Sequence, residues 1–297
     1  MVDKSWSIRY FDDPCLATAV KAQWLPQMLN IAAIQTQSGT DLHKNLSWME
    51  SQIRHHAEND ANMVVFPEMA YFQGPKKLWL PLLKDFSTLS QTFSEWAAKY
   101  QVFLVPGTLR EPVNGDDSMC FNTFLAFDPK GSLIAKYQKI FLFQANLPEK
   151  QYRESEYCRP GTETTVFQCG DFKFGAAICY DLRFPELFRS LRKQGVQVVL
   201  LPSSFTERTG RDHWDALTRA RAIENQMFLV APGQEGMIGE GSATWGHTRV
   251  VSPWGEVLAE IQRGTGGIQA TIDVQEIDRA RKIVDSWSSR REDLFPL

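Results

Sequence analysis

The chain has 297 residues, a formal net charge of -3, 43% hydrophobic and 23% charged residues. That is ordinary for a globular protein with a sizeable core, and it excludes the strongly basic balance of a nucleic-acid or anionic-membrane binder. No apolar run reaches membrane-spanning length, and the five cysteines, an odd number without a C-x-x-C pair, read as reduced thiols of a cytoplasmic protein.

In chain order, residues 1–28 form an N-terminal extension. A short amphipathic helix falls near 14–20, where Asp12, Asp13 and Lys21 argue against a signal peptide. Residues 29–36 read as the first core strand. Thr40 or Asp41 caps a helix to about His56, with Leu42, Leu46, Met49 and Ile53 as its stripe. A buried strand at 63–66 breaks at Pro67-Glu68. A helical region spans 76–100, divided at Pro81, and 102–109 is a strand. Residues 121–127 and 132–137 flank the turn at 128–131. A similar pair, 248–251 and 256–261, flanks Ser252-Pro253-Trp254-Gly255, a faint echo of two related halves.

A hairpin joins 164–168 to 172–178. Strands follow at 196–201, 227–231 and 267–272, with helices at 212–225 and from Val274 onward, then the charged tail. Helices alternating with strands apolar on both sides argue for an α/β protein with covered sheets. No linker divides the chain, so it reads as a single domain.

Three apolar strands end on a polar residue: Glu68, Cys179 and Ser203. The carboxyl ends of strands line the crevice of open α/β sheets. Cys179 stands on a strand-to-helix elbow, where a nucleophile would meet free backbone N–H groups; a small core cysteine is the alternative. Glu68 is either a base or a capping or salt-bridging carboxylate, and Lys139, followed by four apolar residues, is either desolvated or snorkelling. A cysteine, a carboxylate held out of water and a lysine make a workable site for acyl transfer without a histidine. The five histidines form no ligand set, so no metal is expected, and acyl transfer through a thioester requires no cofactor.

Four stretches in order, Phe66-Pro67-Glu68, Lys136 to Ile140, Ile178 to Glu186 and Arg219 to Gln226, together with Trp245-Gly246-His247 and Pro253-Trp254-Gly255, resemble the nitrilase (carbon–nitrogen hydrolase) superfamily. The resemblance implies a four-layer α-β-β-α sandwich over 29–285, with a 286–297 tail reaching a partner in a homodimer or higher homo-oligomer. It makes Glu68 the general base, Lys139 the oxyanion holder, Cys179 the nucleophile and the Tyr180 N–H a second oxyanion donor. Glu154 is the supporting carboxylate, with Glu156 its rival.

The sequence is similar to the omega-amidase and deaminated-glutathione amidase branch. It departs from the family at Phe141 and Gln144, which stand at usual His and Asp places, and Gln234 lacks a nearby histidine. The expected reaction is hydrolysis of a small linear amide with a distal carboxylate, through a cysteine thioester. Arg183, Arg208 or Arg211 would hold that carboxylate, and Phe205 stands with Arg183 as a substrate-binding residue. The alternatives are an N-carbamoyl amino acid (beta-ureido) hydrolase and a non-catalytic binding protein on the same fold.

Overall fold

The computed structural model describes residues 28–148, 150–238 and 242–295. The helix expected near 14–20 and most of the N-terminal extension lie outside the described residues.

Two sheets carry the molecule. In spatial order the first runs Gly266–Asp273, Met28–Gln35, Met63–Val65, Phe103–Val105, Asp116–Phe127 and Thr108–Val113, with Leu133–Gln138 also paired to Asp116–Phe127. The second runs Val257–Ile261, Thr248–Val251, Phe228–Ala231, Val198–Leu200, Phe172–Ala176 and Val166–Cys169. Each has three parallel strands at its centre and an antiparallel hairpin after the third. That shared order is the physical basis of the echo in the sequence.

The alternation along the strands assigns the layers. Ile31, Ala33, Met63, Val65 and Val105 point into the core between the sheets. Their neighbours Ala32, Ile34, Val64 and Leu104 pack outward with Met49 and Ile53 of the helix Leu42–Glu58 and Leu89, Phe93 and Ala97 of the helix Phe86–Tyr100. On the second sheet, the core takes in Leu187, Phe188 and Leu191 of the helix Pro185–Lys193 and Trp214 and Ala222 of the helix Glu207–Asn225. Side chains alternating between two apolar partners explain why these strands read apolar on both sides. The result is a single-domain α-β-β-α sandwich.

Several boundaries differ from the sequence reading. The region 76–100 is a short helix (Lys76–Trp79), a 3-10 stretch with Pro81 at its start (Leu80–Asp85) and the helix Phe86–Tyr100. The strand expected over 102–109 is two, because Gly107 turns the chain at φ +85°. A Cβ there would stand 1.8 Å from the Pro67 carbonyl oxygen, so only glycine lets this turn press on the Pro67-Glu68 backbone.

Candidate active site

Glu68 follows the second parallel strand of the first sheet, and Ser204 follows the second parallel strand of the other sheet. The two loops meet: the Ser204 N–H donates to Glu68 Oε2 at 2.9 Å. Buried Gln234 fixes the loop from behind by donating to the Glu68 carbonyl oxygen at 3.1 Å and to Ser38 Oγ at 2.9 Å.

Cys179 sits in the left-handed region at φ +46°, opening the 3-10 turn Cys179–Arg183. This conformation is uncommon for a side-chain-bearing residue and is held by its surroundings. Asp181, fully buried, accepts from the Ile178 N–H at 2.8 Å, the Tyr137 hydroxyl at 2.7 Å and the Phe141 N–H at 3.0 Å. One carboxylate therefore pins the elbow to both ends of the segment that carries Lys139.

Lys139 is 2% exposed, and its Nζ donates to Glu68 Oε1 at 3.0 Å and Glu154 Oε2 at 2.8 Å. Its backbone is clasped by Gly161, whose N–H donates to the Lys139 carbonyl at 2.8 Å. A Cβ on Gly161 would lie 2.2 Å from the Gln138 carbonyl oxygen. Glu154 also accepts from the Phe143 N–H at 2.6 Å, whereas Glu156 is exposed.

Glu68, Lys139 and Cys179 thus converge with Glu154 behind the lysine. The Cys179 thiol lies within the electrostatic reach of both Glu68 and Lys139, beside Ser204. Burial, and then the Glu68 charge, push that thiol well above its ordinary range, against the pull of Lys139. Burial works against the lysine's charge, but Glu154 and Glu68 outweigh it and hold the ammonium well above the ordinary range. Glu154 in turn is held below the usual carboxylate range: burial opposes this, and the Lys139 charge and hydrogen bond overcome it. A neutral thiol beside a carboxylate and a fixed ammonium can pass its proton to the carboxylate as the sulfur attacks.

The thiol opens on a narrow cleft lined by Phe143, Tyr180, Arg183, Ser204, Phe205 and Thr206. Arg183 is half-buried, its guanidinium 5.1 Å from the Phe205 ring centre and 5.8 Å from that of Tyr180, with Nη1 3.2 Å from His213 Nδ1. Among the described residues it meets no carboxylate. Arg211 pairs with its neighbour Asp212 on the exposed surface, and Arg208 lines a separate outer cleft with Tyr152 and Met237. Phe141 stacks on Phe184 at 3.7 Å, outside the charged cluster. Gln144 has an exposed side chain, and its carbonyl accepts from the Tyr180 hydroxyl at 3.3 Å. Among the described residues no group of three His, Cys, Asp or Glu side chains could hold a metal ion.

Sequence reasoning missed Asn122, whose side-chain N–H2 bonds both Glu68 and Glu154, and the anchoring work of Gln234 and Asp181. The available signal was a polar residue inside an apolar strand: Asn122 interrupts 121–127, and it is 1% exposed.

Residues 30–282 match the carbon-nitrogen hydrolase family. The chain is 36% identical over 272 residues to the nitrilase and fragile histidine triad fusion protein NitFhit of Caenorhabditis elegans, covering 90% of this chain and 62% of that protein's length. The crystal structure of C. elegans NitFhit superposes with a TM-score of 0.86 at 35% identity, over 90% of this chain and 66% of that one. A deaminated glutathione amidase of Synechocystis sp. is 35% identical over 263 residues, 87% of this chain and 97% of the relative. The omega-amidase NIT2 of Danio rerio is 32% identical over 269 residues, 89% of this chain and 95% of the relative. The chain belongs to the carbon–nitrogen hydrolase family, in the nitrilase superfamily's omega-amidase branch.

Proposed function

We propose that the protein is an amidohydrolase that releases ammonia from a small linear amide bearing a carboxylate at its far end. The observation that carries this reading is the buried cluster of thiol, carboxylate and doubly paired ammonium, opening on a cleft whose guanidinium meets no carboxylate among the described residues. Two relatives named for omega-amidase and deaminated glutathione amidase activity support the same substrate class.

In the proposed cycle Glu68 accepts the thiol proton while Cys179 attacks the amide carbon. Lys139 and the Tyr180 N–H stabilise the oxyanion, and Glu154 holds the lysine in place. Protonated Glu68 hands its proton to the departing ammonia and then draws one from the water that cleaves the thioester. Arg183, with Phe205 beneath it, receives the distal carboxylate.

The active form is a homodimer in this reading. Ile223 lies against Gly255, next in sequence to Trp254, and the two apolar side chains, 49% and 57% exposed, offer a face for a partner. A cytoplasmic location agrees with the free thiols at Cys120, Cys158, Cys169 and Cys179.

The test is ammonia release from a panel of omega-amides of dicarboxylates, with Cys179→Ala as control, and the intact mass of the protein after mixing with a slow substrate. Ammonia and an acyl adduct, both lost in Cys179→Ala, are expected. Equimolar carbon dioxide from N-carbamoyl substrates alone, or no turnover and no adduct, would overturn it.

A further inference from the structure

Away from the catalytic cluster, Cys120 of the strand Asp116–Phe127 and Cys158, just after the 3-10 turn Glu154–Glu156, lie side by side. Their sulfurs are 3.2 Å apart and both residues are buried. That gap is roughly 1 Å longer than a disulfide bond. The backbone already holds the two in register as an isolated bridge: the Cys120 N–H donates to the Tyr157 carbonyl and the Arg159 N–H to the Cys120 carbonyl, each at 2.9 Å.

A second observation bears on the same pair. Arg110 is 8% exposed, its guanidinium lies 4.5 Å from the Trp79 ring centre, and its Nε and Nη1 have no hydrogen-bond partner among the described residues. Its charge is coupled to Tyr71, Cys120 and Cys158. A buried guanidinium with unspent donors is costly unless negative charge develops beside it. The Cys158 hydrogen bond, and then Arg110, hold the Cys120 thiol below its ordinary range despite burial, while the same hydrogen bond and burial push Cys158 up. Glu154 opposes the charge on both sulfurs.

We infer that Cys120 and Cys158 form a redox-active dithiol, oxidised by a small peroxide to a reversible disulfide that ties the strand bearing Asn122 to the segment bearing Glu154. The Cys120 thiolate attacks one peroxide oxygen. The O–O bond breaks, the leaving oxygen departs as water after taking a proton, and Cys120 becomes a sulfenic acid. The Cys158 sulfur then attacks the Cys120 sulfur. The S–S bond forms, the S–O bond breaks, and the hydroxyl leaves as a second water with the Cys158 proton. Two electrons pass from the thiols to the peroxide.

The test uses full-length protein carrying Cys179→Ser, so that the reactive thiol of the active site does not contribute. After hydrogen peroxide, denaturation and alkylation, two of the four remaining cysteines stay blocked, and peptide mapping finds Cys120 joined to Cys158. The intact mass falls by two hydrogen atoms, the melting midpoint rises by several degrees, and dithiothreitol reverses each change. A further Cys158→Ser substitution abolishes the mass loss and leaves an oxygen adduct on Cys120. Arg110→Gln slows crosslinking by about tenfold or more. Full alkylation after peroxide, or crosslinks that join other cysteines, would overturn the inference. An unchanged rate in Arg110→Gln would remove Arg110 from it.

Discussion

Asn122 bridges the two carboxylates that flank Lys139, its Nδ2 donating to Glu68 Oε1 at 2.7 Å and to Glu154 Oε1 at 3.1 Å. Three buried charges, two negative and one positive, are thereby arranged around one neutral amide. The amide supplies donors without adding charge, so it fixes both carboxylates without competing with the lysine for them. Removing it frees Glu68 to rotate away from the thiol. Asn122→Ala is expected to lower kcat about 10- to 100-fold with little change in KM. Asn122→Asp, nearly the same shape, should be worse, because it replaces a shared donor with a third carboxylate. Steady-state kinetics of the two variants check this. Equal or better activity in Asn122→Asp would mean the amide does not act as the donor.

The buried ammonium sets the stability of the site as well as its chemistry. Lys139→Met would leave Glu68 and Glu154, 7% and 8% exposed at their side chains, facing each other without their cation. Breaking a buried pair in this way costs about 3–5 kcal/mol. Denaturant unfolding at neutral pH should show that loss, and adding Glu154→Gln should restore part of it. If the double variant is no more stable than Lys139→Met, repulsion between the carboxylates is not the cause.

The residues legible in the sequence were those whose position alone gave them away. Glu68 and Cys179 each end an apolar strand, and Lys139 precedes an apolar run, so their chemistry stood out against local pattern. Asn122 works differently: its partners lie 54 and 32 residues away in sequence, and no local periodicity announces them. Gln234 reaches the Glu68 carbonyl across 166 residues. The hairpins Gln144–Asn146 with Gln151–Arg153 and Glu235–Met237 with Ala243–Trp245 went unread because strands of three residues carry no usable alternation. The helix Glu207–Asn225 begins earlier than its apolar stripe, because its first turn, residues 207–210, carries no apolar side chain.

Arg183 offers a test of substrate class that does not depend on abolishing catalysis. Its guanidinium sits over the Phe205 ring at the cleft that holds Cys179, with burial lowering its affinity for its own proton. An incoming carboxylate would relieve that cost. Arg183→Met should raise KM for an omega-amide of a dicarboxylate about 10- to 100-fold, the range of a charge-assisted hydrogen bond. For an uncharged amide of the same length, kcat/KM should stay within about threefold. An equal loss for both substrates would mean that Arg183 supports the elbow rather than the substrate.

Asp181 gives the elbow a pH dependence of known sign. Burial pushes its carboxyl up from 3.8 to about 6, against the Lys139 charge and three hydrogen bonds. Between about pH 4 and pH 6 the folded protein holds a proton there that the unfolded chain has released. The stability contributed is therefore complete below about pH 4 and is lost as the pH rises through about 6. An asparagine in its place would have no proton to lose, and its N–H2 would face the Ile178, Phe141 and Tyr137 donors, so Asp181→Asn is destabilising across the range. The gap between the wild type and Asp181→Asn should be widest near pH 4 and shrink by about 3 kcal/mol toward pH 7. Chemical denaturation of both proteins at intervals across that range measures it. A gap that stays level, or widens toward neutrality, would mean that the three donors keep Asp181 ionised in the fold throughout.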